Sequence, residues 1–69
     1  MKFEIESVAI EKLNEIIETR NPRGLFISRE KKGKRKRLFI AVDNLDGEAY
    51  TEEFEEYIKA IRWLRGERG

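Results

Sequence analysis

The strongest chemical signal in the sequence is a dense group of basic residues between two apolar runs. Residues 29–37 hold seven of the fifteen lysines and arginines of the chain: Arg29, Lys31, Lys32, Lys34, Arg35, Lys36 and Arg37. A group of this density can neutralise several phosphates, so it predicts a surface that binds nucleic acid. It could equally meet an acidic protein surface, or keep an exposed β-hairpin soluble. The residue types favour an anionic partner and leave its class open.

Aromatic side chains form a second candidate contact surface. Phe26 and Phe39 lie in the apolar runs on either side of the basic residues, and Tyr50 lies in the next predicted strand. Both faces of these strands are apolar, and we expect two short helices to cover only one of them. Phe26, Phe39 and Tyr50 are therefore predicted to form an exposed aromatic face that stacks unpaired bases, anchors a protein or forms a homodimer interface. The alternative is that the register places some of these rings in the core.

The residue types that the chain lacks exclude several kinds of site. Its 69 residues contain no cysteine and no histidine, which excludes disulfides, thiolate or imidazole metal sites and histidine general bases. Without a histidine, no serine or threonine can be assembled into a base and nucleophile pair. The turn at residues 43–47 is a poor match to a calcium loop, because Val42 would take the first ligand position. We expect no enzymatic activity, no metal and no cofactor.

The predicted elements place the basic residues at the tip of a β-hairpin. Residues 25–28 and 38–42 have the β-branched and aromatic residues of strands, and Gly33 is the natural tip because glycine takes a positive φ without strain. On the second strand, the face of Leu38, Ile40 and Val42 should meet the helices. The polar turn at 43–47 then leads to a short strand at 48–51.

Apolar periodicity predicts a helix on each side of this hairpin. Ser7 is the expected N-cap of the first helix, and Asn21 before Pro22 should end it. Its apolar stripe consists of Ala9, Ile10, Leu13, Ile16 and Ile17. The second helix is predicted from about residue 53 to 65, where glutamates at 52, 53, 55 and 56 favour the helix dipole and Gly66 suits the position after the C-cap. Its stripe consists of Phe54, Tyr57, Ile58, Ile61 and Leu64.

These elements predict one α+β domain over residues 1–69, with an extended segment or edge strand at 2–6 and a frayed end at 66–69. The expected order is (β)-α-β-β-β-α, an antiparallel sheet of three or four strands with both helices packed on one face. Residues 19–37 carry nine basic side chains against one acid, while the rest of the chain is acidic. No run approaches the roughly 20 apolar residues of a membrane span, so we expect a cytoplasmic protein with no membrane partner.

The predicted order and the chain length are similar to those of double-stranded-RNA-binding domains. In that family a Lys-Lys-x-Ala-Lys motif at the start of the last helix contacts phosphates. Residues 52–60 of this chain are EEFEEYIKA, in which only Lys59 and Ala60 match that motif. The resemblance therefore implies the topology and does not carry over the RNA-binding site.

Two further resemblances cover more of the chain. The strands and last helix resemble the arm-binding domain of tyrosine integrases, which reads DNA with a three-stranded sheet, and Phe54, Ala60, Trp63 and Leu64 match its last helix. Small uncharacterised proteins from phages and mobile elements of Gram-positive bacteria resemble the chain at residues 23–26, 41–44, 47–49, 52–54 and 63–64, which read RGLF, AVDN, GEA, EEF and WL. This second resemblance implies no known activity, and it favours regulators or inhibitors of host or rival machinery, which act by binding.

The sequence therefore favours a non-enzymatic binding module. The first hypothesis is that the basic hairpin docks on nucleic acid. The second is a protein-binding inhibitor or regulator from a phage or mobile element, whose basic hairpin meets an acidic protein surface.

Overall fold

Four strands and two helices follow one another in the order β-α-β-β-β-α. The computed structural model describes residues 4–33 and 36–66, with only the backbone described at Lys32. The elements are β1 (Ile5–Ser7), α1 (Ile10–Thr19), β2 (Leu25–Lys32), β3 (Lys36–Asp43), β4 (Tyr50–Phe54) and α2 (Tyr57–Leu64). The predicted α+β class and element order are confirmed. The predicted frayed end lies outside the described residues, apart from Gly66.

The four strands form one mixed sheet in the order β1-β2-β3-β4. The β2–β3 and β3–β4 pairs are antiparallel, while β1 pairs with β2 in parallel. The prediction of a fully antiparallel sheet is therefore wrong at this edge, where β1 and β2 are parallel. A helix separates β1 from β2 along the chain, and a helical crossover is the usual way to bring two adjacent strands into the same direction.

The two helices pack on opposite faces of the sheet. One cluster of buried residues joins α1 to the sheet and consists of Leu13, Ile16, Phe26, Ile40 and Val42. The other joins α2 to the opposite face and consists of Leu25, Ile27, Ala41, Ala60, Ile61 and Leu64. The expectation that both helices share one face is wrong, because β2 and β3 are apolar on both faces and each face needs its own cover.

The central hairpin has longer strands and a shorter turn than the sequence predicted. Gly33 lies at the predicted tip with a φ of +71°, as expected of a glycine there. The strands continue through most of the basic residues, and Lys32 pairs with Lys36 in the ladder. Charged residue types do not prevent this pairing, because the ladder joins backbone groups.

Helix α1 begins later and ends earlier than predicted. Ser7 is the last residue of β1, and Ala9 occupies the N-cap without a side-chain capping bond. At the other end Arg20 has a φ of 58°, and its amide donates to the carbonyl of Ile16 at 2.7 Å. The helix therefore ends in a left-handed residue before Pro22 is reached.

Strand β4 takes up residues that were predicted to begin the last helix. Glu52 pairs with Ala41 and Glu53 with Ile40 in the β3–β4 ladder, so α2 does not begin until Tyr57. These two glutamates therefore lie on a strand, and the dipole interaction expected of them is absent. Pairing along β3 satisfies the backbone groups that a longer helix would otherwise have satisfied. Gly66, with a φ of +95°, follows the C-cap of α2 as predicted.

Asn44 is the polar residue that joins the loops at the base of the hairpin. It is 0% exposed, and its amide nitrogen donates to the carbonyls of Arg20 at 2.9 Å and Pro22 at 2.8 Å. Its side-chain oxygen accepts from the amide of Ala49 at 3.2 Å. Asn44 and Gly24 also exchange two backbone bonds, which extend the β2–β3 ladder by one pair. One side chain thus holds the end of α1 and the β3–β4 loop together.

We expect Asn44→Ala to lower the free energy of unfolding by about 2–4 kcal/mol. The change removes three side-chain bonds, each worth about 1 kcal/mol net, and leaves two carbonyls and an amide, all at part-buried positions, without these partners. Urea denaturation followed by circular dichroism measures the loss. Asn21→Ala is the matched control, because Asn21 is exposed and its side-chain amide nitrogen donates one bond, to the carbonyl of Thr19 two residues away. Equal denaturation midpoints for the two variants would contradict the role given to Asn44.

Candidate functional site

The basic residues lie on a two-stranded ribbon that extends beyond the rest of the sheet. Strand β1 pairs with β2 only as far as Ile27, and β4 pairs with β3 only from Phe39 onward. Residues 30–32 and 36–38 therefore pair only with each other among the described strands. We call them, with Arg29 at their root and Gly33 at their end, the ribbon. Four residues of strand span roughly 13 Å. The ribbon is thus a narrow projection whose outer edges carry no neighbouring strand in the described part of the chain.

Three cations lie together on one face of the ribbon. Arg29 pairs with Phe39 and Lys31 with Arg37, and residues directly opposite each other in a ladder point to the same side of the sheet. Phe39 packs on the side of α2, so Arg29, Lys31 and Arg37 lie on that side. All three are exposed. We call these three residues the cationic face.

The remaining predicted binding residues are not part of this face. Lys36 is exposed on the side of α1, in alternation with Arg37. Lys32 pairs with Lys36 through its backbone. Lys34 and Arg35 lie outside the described residues. The structure therefore brings Arg29, Lys31 and Arg37 together and separates Lys36 from them.

The cationic face is not neutralised by the acids that the structure describes. Among the described residues, ion pairs join Lys12 to Glu15 at 4.0 Å and Lys59 to Glu56 at 2.9 Å. Neither pair involves a residue of the cationic face. Glu30, the acid within the ribbon, alternates with Arg29 and so lies on the side of α1. Lys31 and Arg37 are like charges directly opposite each other, an arrangement that destabilises an isolated ladder. The face is positive, open to water and locally repulsive.

The predicted exposed aromatic face is wrong. Phe26 is only 3% exposed and packs under α1, on the opposite side of the sheet from Phe39. Phe39 is partly buried beside α2, and Tyr50 alone of the three is exposed, at 49%. Because each helix covers one side of the sheet, the described part of the chain also lacks the open sheet face on which a homodimer was expected.

A different set of aromatic rings lies at the root of the ribbon. Tyr57 meets Phe39 edge to face, with ring centroids 5.5 Å apart and an interplanar angle of 72°. Phe39 pairs with Phe54 across the β3–β4 ladder, and the Phe54 ring lies 6.0 Å from that of Trp63. We call these four residues the aromatic row. Sequence reasoning placed Tyr57 in a buried helical stripe, whereas it is 54% exposed at the first position of α2.

An open apolar groove of about 1080 Å³ lies between α2 and the β1–β2 side of the sheet. Its apolar lining includes Leu25, Ile61 and Leu64, and the exposed Tyr57 and Ile58 also border it. The sequence did not predict the groove, because the groove forms only when α2 packs beside the parallel β1–β2 pair, and neither this pairing nor this packing was expected. Its charged lining residues are Glu4, Asp43 and Arg65.

The described residues form neither a cluster of metal ligands nor a membrane-spanning helix. Across residues 4–33 and 36–66, no group of three or more acidic side chains is arranged to hold a metal ion. Within the same ranges, neither helix has the length and apolar character needed to cross a membrane.

Comparisons with models of protein families, with curated proteins and with solved structures find no match to this chain. The resemblances drawn from the sequence stay predictions.

Proposed function

We propose that the protein is a non-enzymatic module that binds nucleic acid through the phosphate backbone. The observation that carries this proposal is the cationic face: Arg29, Lys31 and Arg37 lie on one side of a projecting ribbon, without acidic partners among the described residues. A projecting β-ribbon can approach a polyanion without steric hindrance from the rest of the domain.

Electrostatics and hydrogen bonding both favour phosphate at this face. Each contact between a cation and a phosphate releases condensed counterions, which makes binding favourable and dependent on salt. The guanidinium groups of Arg29 and Arg37 can each donate two parallel bonds to a phosphate, while Lys31 contributes a mobile point charge. A bound polyanion would also relieve the repulsion between Lys31 and Arg37 across the ladder. Phosphate contacts carry no base information, so we expect little sequence preference.

The salt dependence of affinity tests this proposal. Fluorescence anisotropy of a labelled oligonucleotide between 50 and 200 mM salt should give a slope of log K against log salt of about −2 to −3, as three phosphate contacts predict. The triple variant Arg29→Gln, Lys31→Gln, Arg37→Gln should lose most of this slope. The matched triple variant Lys12→Gln, Arg20→Gln, Arg65→Gln removes the same charge from exposed positions in α1 and at the C-caps of the two helices, and it should keep the slope. Failure of the wild-type protein to bind any single strand or duplex at 50 mM salt would refute the proposal.

A protein partner is the second candidate, and the apolar groove favours it. Tyr57 and Ile58 are exposed at the border of this groove, and an apolar side chain from a partner could enter it while an acidic surface meets the ribbon. Ile58→Ala separates the two functions, because it removes apolar surface from the groove and leaves every charge unchanged. Under the leading proposal, nucleic-acid affinity should change less than about twofold in this variant, since the charges that bind phosphate are all retained.

A further inference from the structure

We infer that the nucleic acid bound at the ribbon is single-stranded, and that Tyr57 stacks on one of its bases. This inference rests on the proposed function and adds the form of nucleic acid and the residue that selects it. It is carried by the position of Tyr57, an exposed aromatic side chain beside the cationic face.

The ring of Tyr57 is both exposed and supported. It lies at the start of α2, where its edge-to-face contact with Phe39 at 5.5 Å restricts its position. More than half of the residue nevertheless remains accessible, at 54%. A ring held in this way can stack on a ligand with little further loss of conformational entropy.

The cationic face begins opposite Phe39, the residue that this ring contacts. Arg29 is directly opposite Phe39 in the ladder, and Arg37 is two residues from Phe39 along β3, or about 7 Å. Lys31 is opposite Arg37, so the three cations lead from the root of the ribbon towards its tip on the side of α2. A nucleic-acid backbone that follows these cations passes Tyr57 at the root.

A single strand can use this arrangement and a duplex cannot. In a duplex the bases are stacked on one another, and a ring beside the ribbon meets only sugar and phosphate. In a single strand the bases are free to stack on aromatic side chains, while the phosphates follow a cationic groove or track. A cationic face with an adjacent exposed ring is the combination typical of binding to unpaired strands without sequence preference.

Oligonucleotides with and without bases test this inference. We expect the wild-type protein to bind a 12-nucleotide single strand more than about fivefold tighter than a duplex of the same length, and more than about fivefold tighter than an abasic single strand with every phosphate retained. Tyr57→Ala should weaken binding to the intact single strand by about 5- to 150-fold, the range for loss of one stacked base. The same variant should bind the abasic strand as the wild type does.

Two tyrosine variants control for loss of folding and for general loss of aromatic surface. Tyr57→Phe keeps the ring and should bind within about twofold of the wild type. Tyr50→Ala removes a tyrosine of similar exposure from the other end of β4 and should have no effect on affinity. Circular dichroism of each variant confirms that the fold is retained before affinities are compared.

The possible outcomes distinguish this inference from the proposed function. Equal, salt-dependent affinity for intact and abasic strands, with no effect of Tyr57→Ala, would overturn the stacking inference and leave the proposed function standing. Tighter binding to the duplex would overturn the inference in the same way. Absence of binding to every oligonucleotide would overturn both.

Discussion

Replacing Phe26 by alanine should lower the free energy of unfolding by about 3–5 kcal/mol, the usual cost of removing a buried phenylalanine. Phe26 is 3% exposed and belongs to the cluster in which α1 packs on the sheet through Leu13 and Ile16. Alanine would leave a cavity between these two layers. A domain of 69 residues buries a small core, so a loss of this size should leave much of the protein unfolded at 25 °C.

Comparing the chemical denaturation of Phe26→Ala with that of Tyr50→Ala tests this prediction. Tyr50 is 49% exposed, so its truncation should cost less than about 1 kcal/mol. Far-ultraviolet circular dichroism in increasing urea measures both losses. Similar, small losses in the two variants would place Phe26 on an exposed face beside Tyr50 and would contradict its position under α1.

The element order was accessible from the sequence because it depends on local patterns. The stripe of Leu13 and Ile16 repeats within a few turns of helix, and Gly33 marks a turn by its own conformational freedom. These signals need no knowledge of distant contacts. The predicted order and the predicted tip of the hairpin are confirmed for this reason.

The face of the sheet on which each helix packs could not be predicted from local patterns. It depends on β1, a three-residue strand whose parallel pairing with β2 requires α1 to cross the sheet. Both sides of β2 are apolar in the sequence, and this pattern led to the prediction that one side stays exposed. The opposite conclusion holds, since Phe26 and Ile27 face different helices.

The composition of the candidate site was predictable, while its arrangement depends on the register. Residues 29–37 contain seven cations, but the pairing of Lys31 with Arg37 decides which of them share a face. A slip of one residue would send them to opposite sides. The position of Tyr57 depends likewise on β4 extending to Phe54, and the acids at 52 and 53 had instead suggested the start of a helix.

Reversing the charges of the cationic face should have the largest effect on binding. We expect Arg29→Glu, Lys31→Glu, Arg37→Glu to lower the affinity for nucleic acid by more than about 100-fold. Like charges brought together at an interface cost several kcal/mol, and every 1.4 kcal/mol is a factor of ten in affinity. Anisotropy of a labelled single strand at 100 mM salt measures the change.

The fold should tolerate this triple reversal. All three positions are exposed, and the like-charged pair of Lys31 and Arg37 is replaced by another like-charged pair, so the repulsion across the ladder is unchanged in kind. The free energy of unfolding should therefore stay within about 1 kcal/mol of the wild-type value. Urea denaturation checks this before binding is compared.

The matched variant Lys12→Glu, Arg20→Glu, Arg65→Glu separates local from overall charge. It has the same net charge as the ribbon variant, but the altered positions lie in α1 and at the C-caps of the two helices, where all three residues are exposed. Salt screens interactions between exposed charges beyond roughly 10 Å at this ionic strength, so distant reversals should cost less than about tenfold in affinity. An equal loss in the two variants would mean that binding follows the net charge of the protein, and the cationic face would then have no specific role.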